Sequence, residues 1–182
     1  ATKLNPAKGH SLLVIGLGPV GLSIILIAKA LGFRVFGSDI NSDRLSLAEN
    51  IGATDVINAN DFGSHLSRSS RSLQFDYVIE TSGAIEAQTT AVDIVKPKGT
   101  VAFVGLSSGL KSLSPEQFIH KQATLIGSKV MPSNLYWRFI NFILEKKIKF
   151  ESLVTHKYSL SEGPKAFSLF NSGTAGKFIL YN

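Results

Sequence analysis

Apolar residues gather into short runs separated by glycine and Asn/Asp turns along the first two thirds of the chain. A short apolar run between two turns is typical of a strand that is buried on both faces of a parallel sheet. This pattern predicts strands at Leu12–Ile15, Arg34–Asp39, Asp55–Asn58, Phe75–Glu80, Thr100–Val104 and Thr124–Gly127.

Helical patterns lie between several of these strands. The first helix begins at Pro19, where a proline loses no hydrogen bond, and ends before Gly32. We predict helices at Pro19–Leu31, from the cap Asn41 to about Asn50 and at Ile85–Val95, a weak helix or loop at Asp61–Ser72, and a turn at Pro97–Gly99. Strands that alternate with helices predict an α/β fold, here a doubly wound six-stranded parallel sheet over residues 12–130.

Residues 131–182 have a different character, with one long amphipathic pattern followed by shorter elements. The pattern predicts a helix at Asn134–Lys147, a strand at Leu153–Tyr158, a capped helix at Ser161–Phe170 and a strand at Lys177–Tyr181. The apolar face of the long helix contains Leu135, Phe139, Phe142 and Ile143, widened by Trp137, Ile140 and Leu144. A face this wide is more typical of a core or a domain interface than of a ligand site. Together, these elements predict a small C-terminal helix/strand appendage to the sheet.

The first predicted strand leads directly into three glycines with the spacing G-x-G-x-x-G. Gly16 would permit the tight turn, Gly18 would let a pyrophosphate approach the backbone, and Gly21 would let the helix pack closely on the strand. Pro19 and Val20 complete the turn at the start of the helix, whose free N–H groups favour an anion. The alternative is a tight strand–helix turn without a ligand, but the strand before it and the helix after it favour dinucleotide binding.

An acidic residue at the end of the second strand completes this fingerprint. Asp39 lies 18 residues after Gly21, and its carboxylate could accept hydrogen bonds from an adenosine ribose. It would repel a 2′-phosphate, so we expect NAD rather than NADP, although Arg44 could also reach the ribose. The plain alternative is a turn residue at a helix start. The third glycine also argues against an S-adenosylmethionine site.

Composition and charge argue against several other classes of protein. The 182 residues carry a formal charge of +6, with 44% apolar and 18% charged residues, which is typical of a globular protein. The densest basic group, Lys146, Lys147 and Lys149, lies at a predicted helix end, so we predict no nucleic-acid partner. The longest apolar run, Val20–Leu31, is too short to span a membrane.

Metal and nucleophile chemistry find no support in the sequence. The chain has no cysteine, which excludes thiolate metal sites within it and fits a reducing, cytoplasmic location. The four histidines, His10, His65, His120 and His156, are isolated from one another and from paired acids. We therefore predict neither a metal site nor a catalytic residue in this chain.

Several stretches together resemble the cofactor-binding domain of the medium-chain dehydrogenase/reductase family, the zinc-dependent alcohol and polyol dehydrogenases. They are GLGPVGL at 16–22, SDINSDRLSLAENIGATDVIN at 38–58, FDYVIETSG at 75–83, KPKGTVAFVGL at 96–106 and LVTHKYSLSEGPKAF at 153–167. The last is most similar to the sorbitol and threonine dehydrogenase branch. The resemblance implies a Rossmann domain that binds NAD(H).

The resemblance also implies roles for single residues at the adenosine half of the cofactor. Asp39 would hold the ribose, Ile40 would line the adenine slot, and Arg44 would lie beside the ribose. Lys177 would match a basic residue that reaches the pyrophosphate; its alternative is an exposed lysine before an edge strand.

At the nicotinamide half, the resemblance implies a second group. Thr81 would lie near the ring, Val104, Gly105 and Leu106 would pass along it, and Ser128 would lie near its carboxamide. The alternative is that Val104 and Leu106 are ordinary strand-end core residues.

The family holds its catalytic zinc in a separate domain, mostly N-terminal to this one, and that domain is expected to be missing here. Residues 1–11 would then be a partial lead-in from it, and residues 131–182 would pack toward it. The parent enzyme would transfer hydride between NAD(H) and a small alcohol or polyol, as a homodimer that pairs near the fifth and sixth strands, while this domain fragment alone would be inactive. The alternative is a stand-alone NAD-sensing regulatory domain.

Overall fold

A computed structural model describes residues 9–62, 73–106, 113–173 and 176–182. Residues 1–8 of the predicted lead-in, most of the predicted weak helix or loop at 61–72, and His65 lie outside these residues.

The central element is a six-stranded parallel sheet. Its strands are β1 (Ser11–Ile15), β2 (Arg34–Asp39), β3 (Asp55–Asn58), β4 (Phe75–Glu80), β5 (Val95–Phe103) and β6 (Thr124–Gly127). They lie in the order β3-β2-β1-β4-β5-β6, and all neighbouring pairs are parallel. The predicted doubly wound α/β fold is confirmed.

Six α-helices and a second small sheet complete the described chain. The helices are α1 (Pro19–Ala30), α2 (Ser42–Asn50), α3 (Ile85–Ile94), α4 (Pro115–Lys121), α5 (Tyr136–Lys146) and α6 (Gly163–Asn171). Two further strands, β7 (Val154–Ser159) and β8 (Lys177–Tyr181), form a parallel pair near the C-terminus. None of the helices in the described part of the chain is long and apolar enough to cross a membrane.

Helix α4 was not among the predicted elements. The sequence does contain a start signal, because the Ser114 side chain accepts a hydrogen bond from the backbone N–H of Glu116, and Pro115 occupies the first turn. The helix has only seven residues and no fully buried side chain, so its apolar periodicity is weak.

The core lies on both faces of the sheet because the central strand β1 is buried along its whole length. Alternate β1 residues point to opposite faces, so Leu12 and Val14 join one apolar cluster and Leu13 and Ile15 join the other. The first cluster packs against α1 and α2, and the second includes residues of α3. This two-sided burial explains why β1 is a continuous apolar run in the sequence.

Strand β5 begins earlier than predicted. The helix before it ends at Ile94, Val95 already pairs with Phe75, and the ladder then shifts in register before Tyr77. The predicted turn at Pro97–Gly99 is an irregularity within this strand, where Lys98 has a φ of 61°.

The C-terminal elements keep their apolar faces only partly covered. In α5, Phe139 and Phe142 are half-buried, whereas Trp137 is 73% and Leu144 is 69% exposed. A short 3-10 helix, Leu160–Glu162, precedes α6, so helical structure begins one residue earlier than predicted. Its cap is Ser159, which forms a capping box with Glu162.

A carboxylate joins three strands at the amino end of the sheet. Asp76 of β4 accepts hydrogen bonds from the N–H and hydroxyl of Ser11 at 2.8 and 2.7 Å and from Lys96 Nζ at 2.9 Å. Burial acts to raise the pKa of Asp76, but the hydrogen bonds from Lys96 and Ser11 outweigh it and lower the pKa to about 2.

The substitution Asp76→Asn is expected to destabilise the domain at pH 7 and to weaken its acid dependence. The folded pKa lies below the ordinary value of 3.8, so ionised Asp76 stabilises the fold above that value and loses this contribution as the pH falls toward about 2. Solvent screens the ion pair between Asp76 and Lys96, so the free energy of unfolding at pH 7 is expected to fall by about 1 kcal/mol. Urea unfolding across this pH range measures it, with the exposed Asp55→Asn as control. An unaltered acid profile in Asp76→Asn would contradict the assignment.

Candidate functional site

The strand order reverses between β1 and β4, and this switch point defines where a ligand site is expected. The chain leaves β1 toward β2 and β3 on one side, and β4, β5 and β6 extend on the other. In doubly wound sheets, a crevice opens beyond the carboxyl ends of the strands at this point. The glycine turn that follows β1 and the loop that follows β4 border it.

The three glycines of the turn have different surroundings. Gly16 has a φ of +88°, and a Cβ there would lie 2.8 Å from the Ser82 nitrogen. A Cβ on Gly21 would lie only 1.9 Å from the Gly16 carbonyl oxygen, so only glycine allows α1 to pack on this turn. A Cβ on Gly18 would meet no described atom within 4 Å. Gly16 and Gly21 therefore shape the turn, whereas Gly18 faces open space.

The amino end of α1 can receive an anion at this open space. Gly18 is the N-cap residue, and no side chain caps the helix. Pro19 has no N–H, so the N–H groups of Val20 and Gly21 are the first that the helix leaves without an internal acceptor. Pro19 is half-buried and Val20 is exposed. The positive end of the helix dipole and these N–H groups fit a pyrophosphate.

Asp39 lies directly beside the glycine turn. Its Oδ2 accepts a hydrogen bond from the Leu17 N–H at 2.6 Å, and its Oδ1 accepts one from the Asn41 N–H at 3.0 Å. The residue is only 5% exposed, so the carboxylate fixes the turn from within the fold. Each carboxylate oxygen can accept a second hydrogen bond, and ribose hydroxyls are suitable donors.

Arg44 connects this carboxylate to the C-terminal region. Its Nη1 lies 3.6 Å from Asp39 Oδ2, and its Nη2 donates to the Gly173 carbonyl at 3.1 Å. Asn41 Nδ2 also donates to that carbonyl, at 3.4 Å. The guanidinium thus lies beside Asp39, and its link to Gly173 was not predicted.

The loop after β4 is fastened to the glycine turn. The Thr81 hydroxyl donates to the Gly16 carbonyl at 2.6 Å, and the Thr81 N–H donates to the Ile15 carbonyl at 2.8 Å. The loop after β5 is fastened to β4 in turn, because the N–H groups of Val104 and Gly105 donate to the Glu80 carbonyl. The structure therefore brings Thr81, Val104 and Gly105 together at the carboxyl ends of β4 and β5.

The remaining predicted residues differ in their exposure and in their hydrogen bonds. Ile40 is 70% and Leu106 is 80% exposed, each next to a residue of the site. Ser128 follows β6, and its N–H donates to the Phe103 carbonyl at 2.9 Å. Lys177 is exposed at the start of β8 in the second sheet, and no hydrogen bond or ion pair of the described residues joins it to the glycine turn.

Sequence reasoning missed one buried residue of this region, Glu80. It is the last residue of β4 and is fully buried, although glutamate is rarely buried without a partner. The available signal was an acid at the carboxyl end of an apolar strand, followed by Thr81, Ser82 and Gly83.

The described residues contain no group of three or more His, Cys, Asp or Glu side chains that could hold a metal ion.

The sequence of this chain is similar to those of known dehydrogenases. The family model described as zinc-binding dehydrogenase matches residues 19–145. A sorbitol dehydrogenase of Halalkalibacterium halodurans is 32% identical over 98% of this chain and 53% of its own length. An L-threonine 3-dehydrogenase of Francisella philomiragia is 28% identical over 94% of this chain and 52% of its own length.

A solved structure shares the fold. A short chain alcohol dehydrogenase of E. coli CFT073, complexed with NADH, superposes with a TM-score of 0.85 over 97% of this chain and 53% of that protein, at 23% identity.

The fold and the glycine turn define a doubly wound α/β domain of the dinucleotide-binding type. The chain belongs to the zinc-binding dehydrogenase family, as the resemblance predicted. It spans about half the length of the curated relatives it matches.

Proposed function

We propose that this chain is the NAD(H)-binding domain of a medium-chain alcohol or polyol dehydrogenase. The observation that carries the proposal is the placement of a nearly buried carboxylate, Asp39, directly against the glycine turn, next to open space at Gly18. Pyrophosphate would bind the N–H groups at the start of α1, and the adenosine ribose would donate to Asp39.

The cofactor would extend across the switch point with its two halves on opposite sides of the glycine turn. Ile40 and Arg44 would border the adenosine half on the β2 side. Thr81, Val104, Gly105, Leu106 and Ser128 would border the nicotinamide half, because they follow β4, β5 and β6. A role of Lys177 at the pyrophosphate requires its side chain to approach the turn from the second sheet.

Bound NAD would supply a hydride acceptor at C4 of the nicotinamide. The described residues would bind and orient it and would shield one face of it from water. In the parent enzyme, zinc and the alcohol or polyol substrate would be held by residues outside the described region. This chain by itself would then be inactive. The family and its named relatives favour a dehydrogenase over a stand-alone NAD sensor.

Two further parts of the proposal concern assembly. The half-covered face of α5, with Trp137 exposed, would pack toward the rest of the protein. Two copies of the chain would pair along β6, because β6 is an edge strand of the sheet and its Leu125 is 47% exposed. Analytical ultracentrifugation would show whether the protein is a dimer. A cytoplasmic location stays a prediction from the absence of cysteine.

Titration calorimetry with NAD, NADP and S-adenosylmethionine tests the proposed ligand. We expect NAD to bind at least about ten-fold more tightly than NADP, because Asp39 would repel a 2′-phosphate that Arg44 only partly neutralises. No heat is expected from S-adenosylmethionine. Tighter binding of NADP than of NAD would contradict the assigned role of Asp39, and absence of binding by either dinucleotide would overturn the proposed function.

A further inference from the structure

A buried carboxylate organises the loop after β4. Within the described ranges of the chain, three hydrogen bonds reach the side chain of Glu80, and all three arrive at one oxygen, Oε1. The Ser82 N–H donates at 2.6 Å, the Ser82 hydroxyl at 2.5 Å and the Gly83 N–H at 2.9 Å. The backbone of residues 82–83 is therefore wrapped around a single acidic group.

The other oxygen of Glu80 is left without such bonds. Oε2 is buried and has no hydrogen-bond partner in the part of the chain that the structure describes. A buried carboxylate with an unused oxygen is costly, and an apolar side chain would fill the same space with less loss of hydration. Stability alone therefore does not account for an acid at this position, whereas the geometry of the loop does.

The loop held by Glu80 is packed backbone to backbone against the loop after β5. A Cβ on Gly83 would lie 2.3 Å from the Leu106 carbonyl oxygen, and a Cβ on Gly105 would lie 2.2 Å from the Gly83 nitrogen. The Glu80 carbonyl also accepts the N–H groups of Val104 and Gly105, at 2.9 and 3.1 Å. Displacement of residues 82–83 would therefore displace the loop after β5 as well.

We propose that Glu80 is a positioning residue that fixes the surface on which the nicotinamide half of the cofactor rests. This inference depends on the proposed NAD(H) binding. In a doubly wound sheet a dinucleotide lies across the switch point. With the adenosine half beside Asp39 on the β2 side, the nicotinamide half lies over the loops that follow β4 and β5. Glu80 contacts no part of the cofactor itself, since it is fully buried.

The experiment compares one ligand that has a nicotinamide with one that lacks it. Binding of NADH is followed by its fluorescence, and binding of AMP by calorimetry, for the wild-type chain and for Glu80→Ala, Glu80→Gln and Ser82→Ala. Glu86→Ala, an exposed glutamate in the first turn of α3, is the matched control.

We expect Glu80→Ala to weaken NADH binding by about ten-fold or more while AMP binding changes by less than about two-fold. Glu80→Gln keeps an acceptor oxygen but loses the charge, so its effect is expected to be intermediate. Ser82→Ala removes one of the three donors at an exposed position and is expected to weaken NADH binding about three-fold. Glu86→Ala should match the wild type for both ligands.

These variants also separate the inference from its alternatives. If Glu80→Ala does not fold, the split between NADH and AMP in Glu80→Gln and Ser82→Ala decides the question. An equal loss for both ligands, or unchanged NADH binding in all folded variants, overturns the positioning role. A wild-type chain that binds neither ligand overturns the proposed function, and this inference with it.

Discussion

Gly21→Ala is expected to destabilise this domain by about 2–3 kcal/mol and to abolish measurable NAD binding. The new Cβ would lie 1.9 Å from the Gly16 carbonyl oxygen, which is backbone and cannot move without opening the turn. Alanine is a better helix former than glycine by about 1 kcal/mol, but this gain is smaller than the cost of the collision. Thermal and urea unfolding, together with calorimetry against NAD, measure both effects.

Gly18→Ala is the matched control within the same turn. Gly18 has a φ of −68°, which alanine adopts without strain, and its Cβ would meet no described atom within 4 Å. The variant should therefore keep wild-type stability to within about 0.5 kcal/mol. It should still weaken NAD binding by about ten-fold, since the methyl group would occupy the space in front of the helix start. Wild-type affinity in a stable Gly18→Ala chain would show that phosphate does not bind there.

The second large effect is expected for Asp39→Asn, which should reverse or erase the preference for NAD. The charged acceptor that the ribose would use is lost, so NAD affinity should fall by about ten- to one-hundred-fold. Repulsion of a 2′-phosphate is removed, and Arg44 is released from the ion pair at 3.6 Å, so NADP affinity should stay constant or rise. Titration calorimetry with NAD and with NADP measures the ratio of the two affinities.

The NADP measurement separates recognition from support of the turn. Asp39 also accepts a hydrogen bond from the Leu17 N–H, and loss of that hydrogen bond alone would weaken the binding of NAD and of NADP to the same extent. An equal loss of affinity for NAD and NADP would therefore show that Asp39 supports the glycine turn and does not bind the ribose. Asp43→Asn, an exposed acid in the first turn of α2, is the control and should leave both affinities unchanged.

The sequence could predict the sheet because its central strands, such as β1 and β4, are largely buried and form short apolar runs between turns. Four of the six predicted strands have the observed bounds, including β2 and β4. The cap Asn41 was also predictable, since its side chain accepts from the N–H groups of Asp43 and Arg44, two and three residues away. Short-range signals of this kind do not depend on the rest of the fold.

Elements whose form depends on distant segments were missed. Helix α4 is short and only partly buried, so its stability rests on contacts with the sheet and with α3. The early start of β5 depends on the pairing of Val95 with Phe75, twenty residues away in the chain. Local propensity carries no information about such a partner.

The sequence by itself determined the glycine spacing, the acid at the end of β2 and hence the proposed class of ligand, because these are local patterns on consecutive elements. Only the tertiary structure decided that Asp39 is tied to Leu17, that Arg44 reaches Gly173, and that Glu80 gathers the backbone of residues 82–83 around one oxygen. The physical reason is that a buried polar group takes its partners from whatever the fold packs against it. Spacing along the chain does not specify those neighbours.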